Sequence, residues 1–341
     1  MKKILVTGSE GYIGSVLCPI LLRKNYQIIG IDNCYFSEGN LNQLNLPSYQ
    51  LIKKDIRDIE FDDINENIYA IVHLAALSND PLGSLDEDLT FDINFNATIR
   101  LAEIAKKLSV SRFIFASSCS LYGQSNSKLT ENSPSNPQTP YGKSKILSEN
   151  ELSIMASDSF SPVYLRNATA FGISPRMRFD IVVNNLSGFA KVDNEIKILG
   201  DGKPWRPLVH VRDICKGIIA TIECDREVMH NESFNIGDNN ENYQIKTIAD
   251  KINNYYPKCN VSIAQEDSGD TRNYNVSFSK ANKNLNYFSD WQLDGGIVEI
   301  KNTYEEINLN DEIFNHRFYT RLKQIHYLME NKIIDSSLRI I

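Results

Sequence analysis

The chain has 341 residues, 42% of them hydrophobic, enough for one large or two ordinary domains with a buried core. A formal net charge of −7 argues against broad nucleic-acid binding and leaves room only for a local basic pocket suited to phosphate. The six cysteines (18, 34, 119, 215, 224, 259) form no C-x-x-C pair and no zinc spacing, and no segment has the length of a signal-peptide core or a membrane span, so reduced thiols, no metal, no membrane and a cytoplasmic location are expected.

Ile4-Leu5-Val6 is an apolar run of the buried parallel-strand type. It feeds Gly8-Ser9-Glu10-Gly11-Tyr12-Ile13-Gly14, and Ser15 to Lys24 then reads as a helix, with Pro19 expected to bend or loosen it. Strand, glycine turn and helix form the context of a dinucleotide site, because glycines admit the pyrophosphate to the backbone and the helix N-terminus offers free N–H groups. The spacing differs by one residue from the G-x-G-x-x-G fingerprint. The next strand, Ile28 to Ile31, ends in Asp32, 18 residues beyond Gly14, where an acid would bind the adenosine ribose hydroxyls. A carboxylate there repels a 2′-phosphate, and Asn33, Cys34 and Tyr35 follow with no arginine to receive one, so NAD is favoured over NADP.

Leu51 to Ile56 reads as a third strand, with Asp55 either near the adenine amino group or capping a turn. Ala70 to Ala76 is a fourth, running into small residues that suit close approach to a cofactor; its His73 reads as a packed strand residue. Ser78-Asn79-Asp80 follow as possible polar groups for a ligand. Asp92 to Lys107, with Asn94 near its start, has helical apolar spacing, and Arg112 to Ala116 is a fifth strand ending in Ser117-Ser118-Cys119-Ser120-Leu121-Tyr122-Gly123. Thr139 reads as an N-cap and Pro140 as the first helical residue, which places Tyr141 and Lys145 on one helix face. An ammonium beside a phenol favours the phenolate, giving a base that works near neutral pH. The alternation predicts an α/β fold, a Rossmann-type doubly wound parallel sheet whose crevice lies at the strand C-termini. The expected division is a dinucleotide-binding domain over 1–164 and a second domain over 165–341.

In the second half Phe160 to Leu165 is another strand. Arg176 and Arg178 are loop cations that either touch a ligand or anchor the loop to acids, and Trp205 either stacks on a base or joins the core. Phe318 to Lys332 carries a helical apolar stripe, read as packing on its own domain or on a partner subunit.

Taken together, Gly8-x-x-Gly11-Tyr12-Ile13-Gly14-Ser15, Asp32-Asn33, Asp55-Ile56-Arg57, His73-x-Ala75-Ala76, Ser117-Ser118…Tyr122-Gly123, Tyr141-x-x-x-Lys145, Asn184-Asn185-Leu186 and Arg206-x-x-Val209-His210-Val211 resemble the extended short-chain dehydrogenase/reductases that act on nucleotide sugars. The resemblance covers nearly the whole chain, and it implies that 165–341 is a smaller mixed α/β substrate domain with a segment near 208–240 returning to the first sheet. It implies that Gly8, Gly11, Tyr12, Ile13, Gly14, Asp32, Asn33, Asp55, Ile56, Leu74, Ala75, Ala76 and Asn94 hold NAD together with Tyr141 and Lys145. It implies Ser118 holding the reacting sugar hydroxyl, Tyr141 moving its proton, and Lys145 binding the nicotinamide ribose. Ser78, Asn79, Thr169, Arg178, Asn185, Arg206 and Arg272 would line the substrate, the last two holding the diphosphate of a nucleotide-diphosphate sugar. A homodimer through the helices near 94–107 and 140–155 is implied by the resemblance alone.

The similar 4,6-dehydratases carry an Asp or Ser and then a Glu directly after the position of Ser118, where this chain has Cys119 and Ser120. That demotes elimination, and Cys119 is read as a packed thiol rather than a catalyst. The expected activity is a nucleotide-sugar 4-epimerase. The alternatives are a net 4-dehydrogenase, because Phe171 to Arg178 also looks like a segment of heptose-modifying dehydrogenases acting on a GDP-heptose, and a non-catalytic NAD-binding regulator.

Overall fold

The computed structural model describes residues 1–37, 41, 46–64, 67–78, 80–83, 85–264 and 272–341. Seven strands form one all-parallel sheet: β1 (Lys3–Thr7), β2 (Gln27–Asp32), β3 (Tyr49–Lys53), β4 (Ile68–His73), β5 (Arg112–Ser118), β6 (Ser161–Asn167) and β7 (Glu232–Ile236). Their order is β7-β6-β5-β4-β1-β2-β3. The order reverses between β1 and β4, so a crevice opens at that switch point, outside the strand C-termini. Sequence explains why β1 sits in the centre: Ile4, Leu5 and Val6 are all fully buried, and only a strand covered on both faces can bury three consecutive side chains.

Helix α1 (Gly14–Arg23) follows the glycine turn, and Pro19 lies inside it without ending it. Helix α2 (Ala97–Lys107) is entered through a π-turn at Asp92–Asn96, and α3 is Pro140–Met155. The inner face of α3 is polar: Ser144, Lys145, Ser148 and Glu149 are buried, whereas Leu147 and Ile154 are exposed. A helix that turns hydroxyls and charges inward and leaves aliphatic residues outside is shaped by its site rather than by core packing.

The expected boundary at 164/165 falls inside β6. Within 208–240, β7 joins the main sheet beside β6, while Trp205–His210 pairs with Thr169–Phe171 and with Asn242–Gln244 in a separate three-stranded sheet. Apolar side chains segregate accordingly. Two clusters cover the faces of the main sheet, and a third, around Phe171, Phe179, Ile198, Ile248 and Tyr304, lies in the second half. The C-terminal helix α4 (Arg321–Glu330) packs Ile325 and Leu328 against the first half, in the cluster with Tyr35, Ile56, Leu82 and Ile93. Its apolar stripe is therefore spent within the chain.

Candidate active site

A cavity of about 610 Å³ opens at the strand C-termini. Two glycines shape its floor. Gly8 has φ +69°, and a Cβ there would lie 2.9 Å from the Ala75 nitrogen; a Cβ on Gly14 would lie 2.2 Å from the Gly8 carbonyl oxygen. The first couples the glycine loop to the Leu74-Ala75-Ala76 turn, and the second lets α1 start directly beneath the loop. No side chain caps that start, so the helix end faces the cavity through Gly11, Tyr12 and Ile13. At the end of β2, Asp32 accepts the Glu10 and Cys34 N–H groups at 3.0 and 2.8 Å, and burial still raises its carboxyl pKa. These features, with unpartnered buried polar atoms on Ser120, Asn167 and Arg321 along the wall, fit a dinucleotide.

Helix α3 carries Tyr141 and Lys145 on the face toward the cavity. The Thr139 hydroxyl accepts the Gly142 N–H at 3.1 Å, and Pro140 opens the helix. Tyr141 is backed by Gly83, where a Cβ would stand 3.1 Å from the tyrosine Cβ. The Lys145 ammonium is 5.6 Å from the Tyr141 ring centroid and 4.6 Å from that of Phe115, and it donates to the Ala116 carbonyl at 2.8 Å. Burial pushes the lysine down from 10.5 to about 7, with Glu149 opposing the shift. The sign follows directly: between those two values the unfolded chain binds a proton that the folded chain does not, so the Lys145 contribution to stability is present above about 10.5 and lost as pH falls to about 7. Lys145→Met is expected to remove this dependence, worth at most about 1.4 kcal/mol per pH unit in that window. Urea midpoints of the nucleotide-free proteins at pH 7 and 9 check it, and equal pH slopes for both proteins would contradict it.

Ser118 ends β5, and its side chain accepts the Ser120 N–H at 3.1 Å. Behind it Glu149, one turn beyond Lys145, accepts the Ser117 hydroxyl and pairs with buried Arg166 at 2.6 Å. Cys119 turns away from the cavity: its thiol contacts the Arg166 carbonyl at 3.1 Å, and burial raises its pKa, which leaves a packed thiol. Ser120 does line the cavity.

At the other end the Arg206 guanidinium donates to the Arg272 carbonyl at 2.6 Å and lies 5.5 Å from the Tyr274 ring centroid, so these three residues meet although 66 positions separate the arginines. Thr169 and Asn185 line the stretch between, with the Asn185 amide donating to the Phe179 carbonyl at 2.8 Å. The Arg178 guanidinium is held in a fork by Asp180, at 2.8 and 3.1 Å, and faces the same cavity. The loop carrying it is tied to the glycine turn: the Tyr12 hydroxyl donates to the Gly172 carbonyl at 2.6 Å, and the Ser174 hydroxyl donates to the Tyr12 carbonyl at 2.7 Å.

The cavity thus gathers every expected site residue except two. Asn79 lies outside the described residues. Asn94, expected at the cofactor, does not reach the cavity. Its amide accepts the Leu77 N–H at 2.7 Å and donates to Ser144 at 3.3 Å, because the π-turn rotates it under the loop rather than toward the crevice. Asp55, Arg176 and Trp205, each with two readings in the sequence, have definite surroundings. Asp55 lines the cavity and is also committed to Arg57, by an ion pair at 2.8 Å and by capping the Arg57 N–H. Arg176 anchors its loop to the Phe318 carbonyl at 2.5 Å, and Trp205 is 36% exposed and outside the cavity lining. His73 is packed, between the Thr7 and Thr98 hydroxyls at 2.6 and 2.8 Å, and burial drops its pKa to about 3.

Sequence reasoning passed over Ser120, Asn167, Lys197, Tyr274 and Arg321, all on the cavity wall. Ser120 and Asn167 sit at or just beyond the C-terminal ends of β5 and β6, where the sheet rule alone points; the other three carry no local signal.

Residues 4–237 match the model of the NAD dependent epimerase/dehydratase family. The chain belongs to this family. NAD is accordingly its cofactor, and a nucleotide sugar its class of substrate. Among similar family members, an uncharacterized UDP-glucose epimerase of Bacillus subtilis is 30% identical over 307 residues, covering 87% of this chain and 96% of the relative. A UDP-glucose 4-epimerase of the same organism is 28% identical, covering 69% and 76%. The crystal structure of UDP-glucuronic acid 4-epimerase from Bacillus cereus, in complex with UDP-glucuronic acid and NAD, superimposes with a TM-score of 0.80 at 27% identity, covering 89% of this chain and 99% of that one. An NAD-dependent NDP-hexosamine 5,6-dehydratase shares the fold at 19% identity and a TM-score of 0.78, so the fold alone does not choose the reaction. Among the described residues no helix is long and apolar enough to cross a membrane.

Proposed function

We propose that the protein is a nucleotide-sugar 4-epimerase. One observation carries the choice over elimination. Among the described residues the carboxylates on the cavity wall are Asp32, Asp55 and Asp180, and each is committed, to backbone N–H groups, to Arg57 and to Arg178 respectively. Among the described residues no carboxylate on the cavity wall stands beside Ser118 to remove a ring proton: Glu149 behind it is bound to Arg166 and Ser117, and the nearer groups are an inward-turned thiol and the Ser120 hydroxyl. Bound NAD supplies a hydride acceptor that also returns the hydride. The chain supplies the rest. Ser118 orients the 4-hydroxyl, and Tyr141 as phenolate takes its proton and gives it back. Lys145 orients the nicotinamide ribose and favours the phenolate while charged. Arg206 and Arg272 hold the diphosphate, which leaves the sugar free to turn over between the two hydride transfers. The relatives that act on UDP-sugars support a uridine nucleotide as the first substrate to try.

Net 4-dehydrogenation uses the same residues and differs only in whether the keto sugar leaves. Incubating the pure protein with UDP-, dTDP-, GDP- and CDP-sugars separates the two by product mass and 340 nm absorbance. An isomer without net NADH is expected. A product two mass units lighter would replace the epimerase with a dehydrogenase, and no product from any sugar would favour a non-catalytic NAD-binding regulator.

The proposal extends to a homodimer. Leu147 and Ile154 are exposed on α3, beside a shallow groove lined by Phe95 of the π-turn, Ile99 and Glu103 of α2 and Glu151 of α3.

A further inference from the structure

Arg321 opens α4, beyond the residues that match the family model. It is 3% exposed and lines the cavity with Asp32 and Arg178. Its guanidinium lies 4.2 Å from the Phe36 ring centroid, and its Nη1 is buried with no hydrogen-bond partner among the described residues. No ion pair to it is found there either, although Arg57, Arg166 and Arg178 each have one. Its electrostatic neighbours are Arg178 and Arg176, of like charge, and Asp180 and Asp32, of opposite charge; both other arginines are occupied, by Asp180 and by the Phe318 carbonyl. A buried guanidinium with an unpartnered N–H and no ion pair of its own is costly unless an anion completes the site.

The segment that delivers it is firmly held. The Arg321 N–H donates to Asp180 at 3.2 Å, and the Gln324 amide to the Tyr35 carbonyl at 2.9 Å. The Tyr35 hydroxyl and Arg57 both donate to the Leu338 carbonyl, at 2.7 and 3.1 Å. Residues 321–338 therefore strap the loop after β2 to the turn after β3, across the end of the cavity that holds Asp32.

We propose that Arg321 is a phosphate-binding residue for the dinucleotide, contacting its diphosphate from the side opposite the glycine loop. This rests on the dinucleotide reading of the cavity. Arg321 shares the cavity wall with Asp32, at the expected adenosine ribose end, and its N–H is bonded to Asp180, the carboxylate that holds Arg178; a diphosphate must cross the space these residues line. The guanidinium fork suits two phosphate oxygens. A 2′-phosphate offers the same chemistry, and the test separates the two sources.

Binding of adenosine, ADP-ribose, NAD, 2′-AMP and NADP to the full-length, nucleotide-free protein is measured by calorimetry for wild type, Arg321→Met and Arg321→Lys. ADP-ribose and NAD are expected to weaken about ten- to hundredfold in Arg321→Met with adenosine unchanged, and Arg321→Lys is expected to fall between. Unchanged ADP-ribose affinity in a variant that still binds adenosine overturns the proposal. So does a loss confined to 2′-AMP and NADP, which would move the contact to a 2′-phosphate. If Arg321→Met does not fold, Arg321→Lys decides: selective loss of ADP-ribose over adenosine supports the contact, and wild-type affinity for both rejects it. If wild type binds neither adenosine nor ADP-ribose, the dinucleotide reading itself fails.

Discussion

Tyr141→Phe is expected to lower turnover about 10²- to 10⁴-fold while NAD still binds. The substitution removes one oxygen and leaves everything that positions the ring: the Thr139 cap, Pro140, the close approach of Gly83 and the helix face shared with Lys145. Phe keeps the packing, so the loss is assigned to proton transfer from the sugar hydroxyl. Binding should hold because the glycine turn, Asp32 and Lys145 are untouched. Steady-state rates on the sugar identified by the panel, with NAD affinity measured on the same protein, give the split. Turnover within a few-fold of wild type would remove Tyr141 from the mechanism and leave the helix with a binding role only.

The second large effect is on stability. Arg166→Met is expected to cost about 3–5 kcal/mol, because it strands the buried Glu149 carboxylate. The pair is tightly made: Arg166 Nη2 lies 2.6 Å from Glu149 Oε2, Nε reaches both carboxylate oxygens at 3.1 Å, and Nη1 donates to the Tyr122 hydroxyl and the Glu131 carbonyl at 3.0 Å. Glu149 also accepts the Ser117 hydroxyl, next to Ser118, and its charge opposes the downward shift of Lys145. The network therefore ties β5, β6 and α3 together directly behind the reactive side chains. Adding Glu149→Leu to Arg166→Met is expected to recover much of the loss, since the uncompensated charge then disappears. Urea midpoints of the two single variants and the double variant measure the coupling. A single-variant loss below about 1 kcal/mol would mean that water reaches the pair.

Much of the site was legible because its chemistry is written over short spans. The glycine turn, the acid at the end of the next strand and the Tyr141–Lys145 spacing are each fixed by local geometry: a turn that admits no side chain, a strand of known rise, a helix of known pitch. The alternation of apolar runs and periodic segments likewise implied the parallel sheet and its crevice. Local capping was readable as well, as Thr139 demonstrates.

The surroundings of two expected site residues were not legible in the sequence, for one reason. Asn94 lies at the start of a segment with helical spacing, yet a π-turn and the Leu77 backbone, 17 residues away, decide where its amide points. Asp55 had two local readings, and only Arg57 and the carbonyls of Ser337 and Leu338 some 280 positions on explain why its partner is fixed in place.

Arg321 is the clearest case. Beside Asp32 the sequence shows no arginine, and α4 reads as an apolar stripe seeking a surface to cover. The stripe does cover one, but by docking Ile325 and Leu328 on the first half it carries a guanidinium to within 4.2 Å of Phe36, 285 positions earlier. Sequence periodicity determines which face of a helix is buried; it holds no information about which distant strand end that face will meet. The chain by itself determined the family of fold and the cofactor, and it placed Tyr141 and Lys145 on one helix face, because these depend on neighbours in sequence. Only the tertiary structure decided which charges are neutralised and which remain for a ligand, because charge compensation depends on neighbours in space.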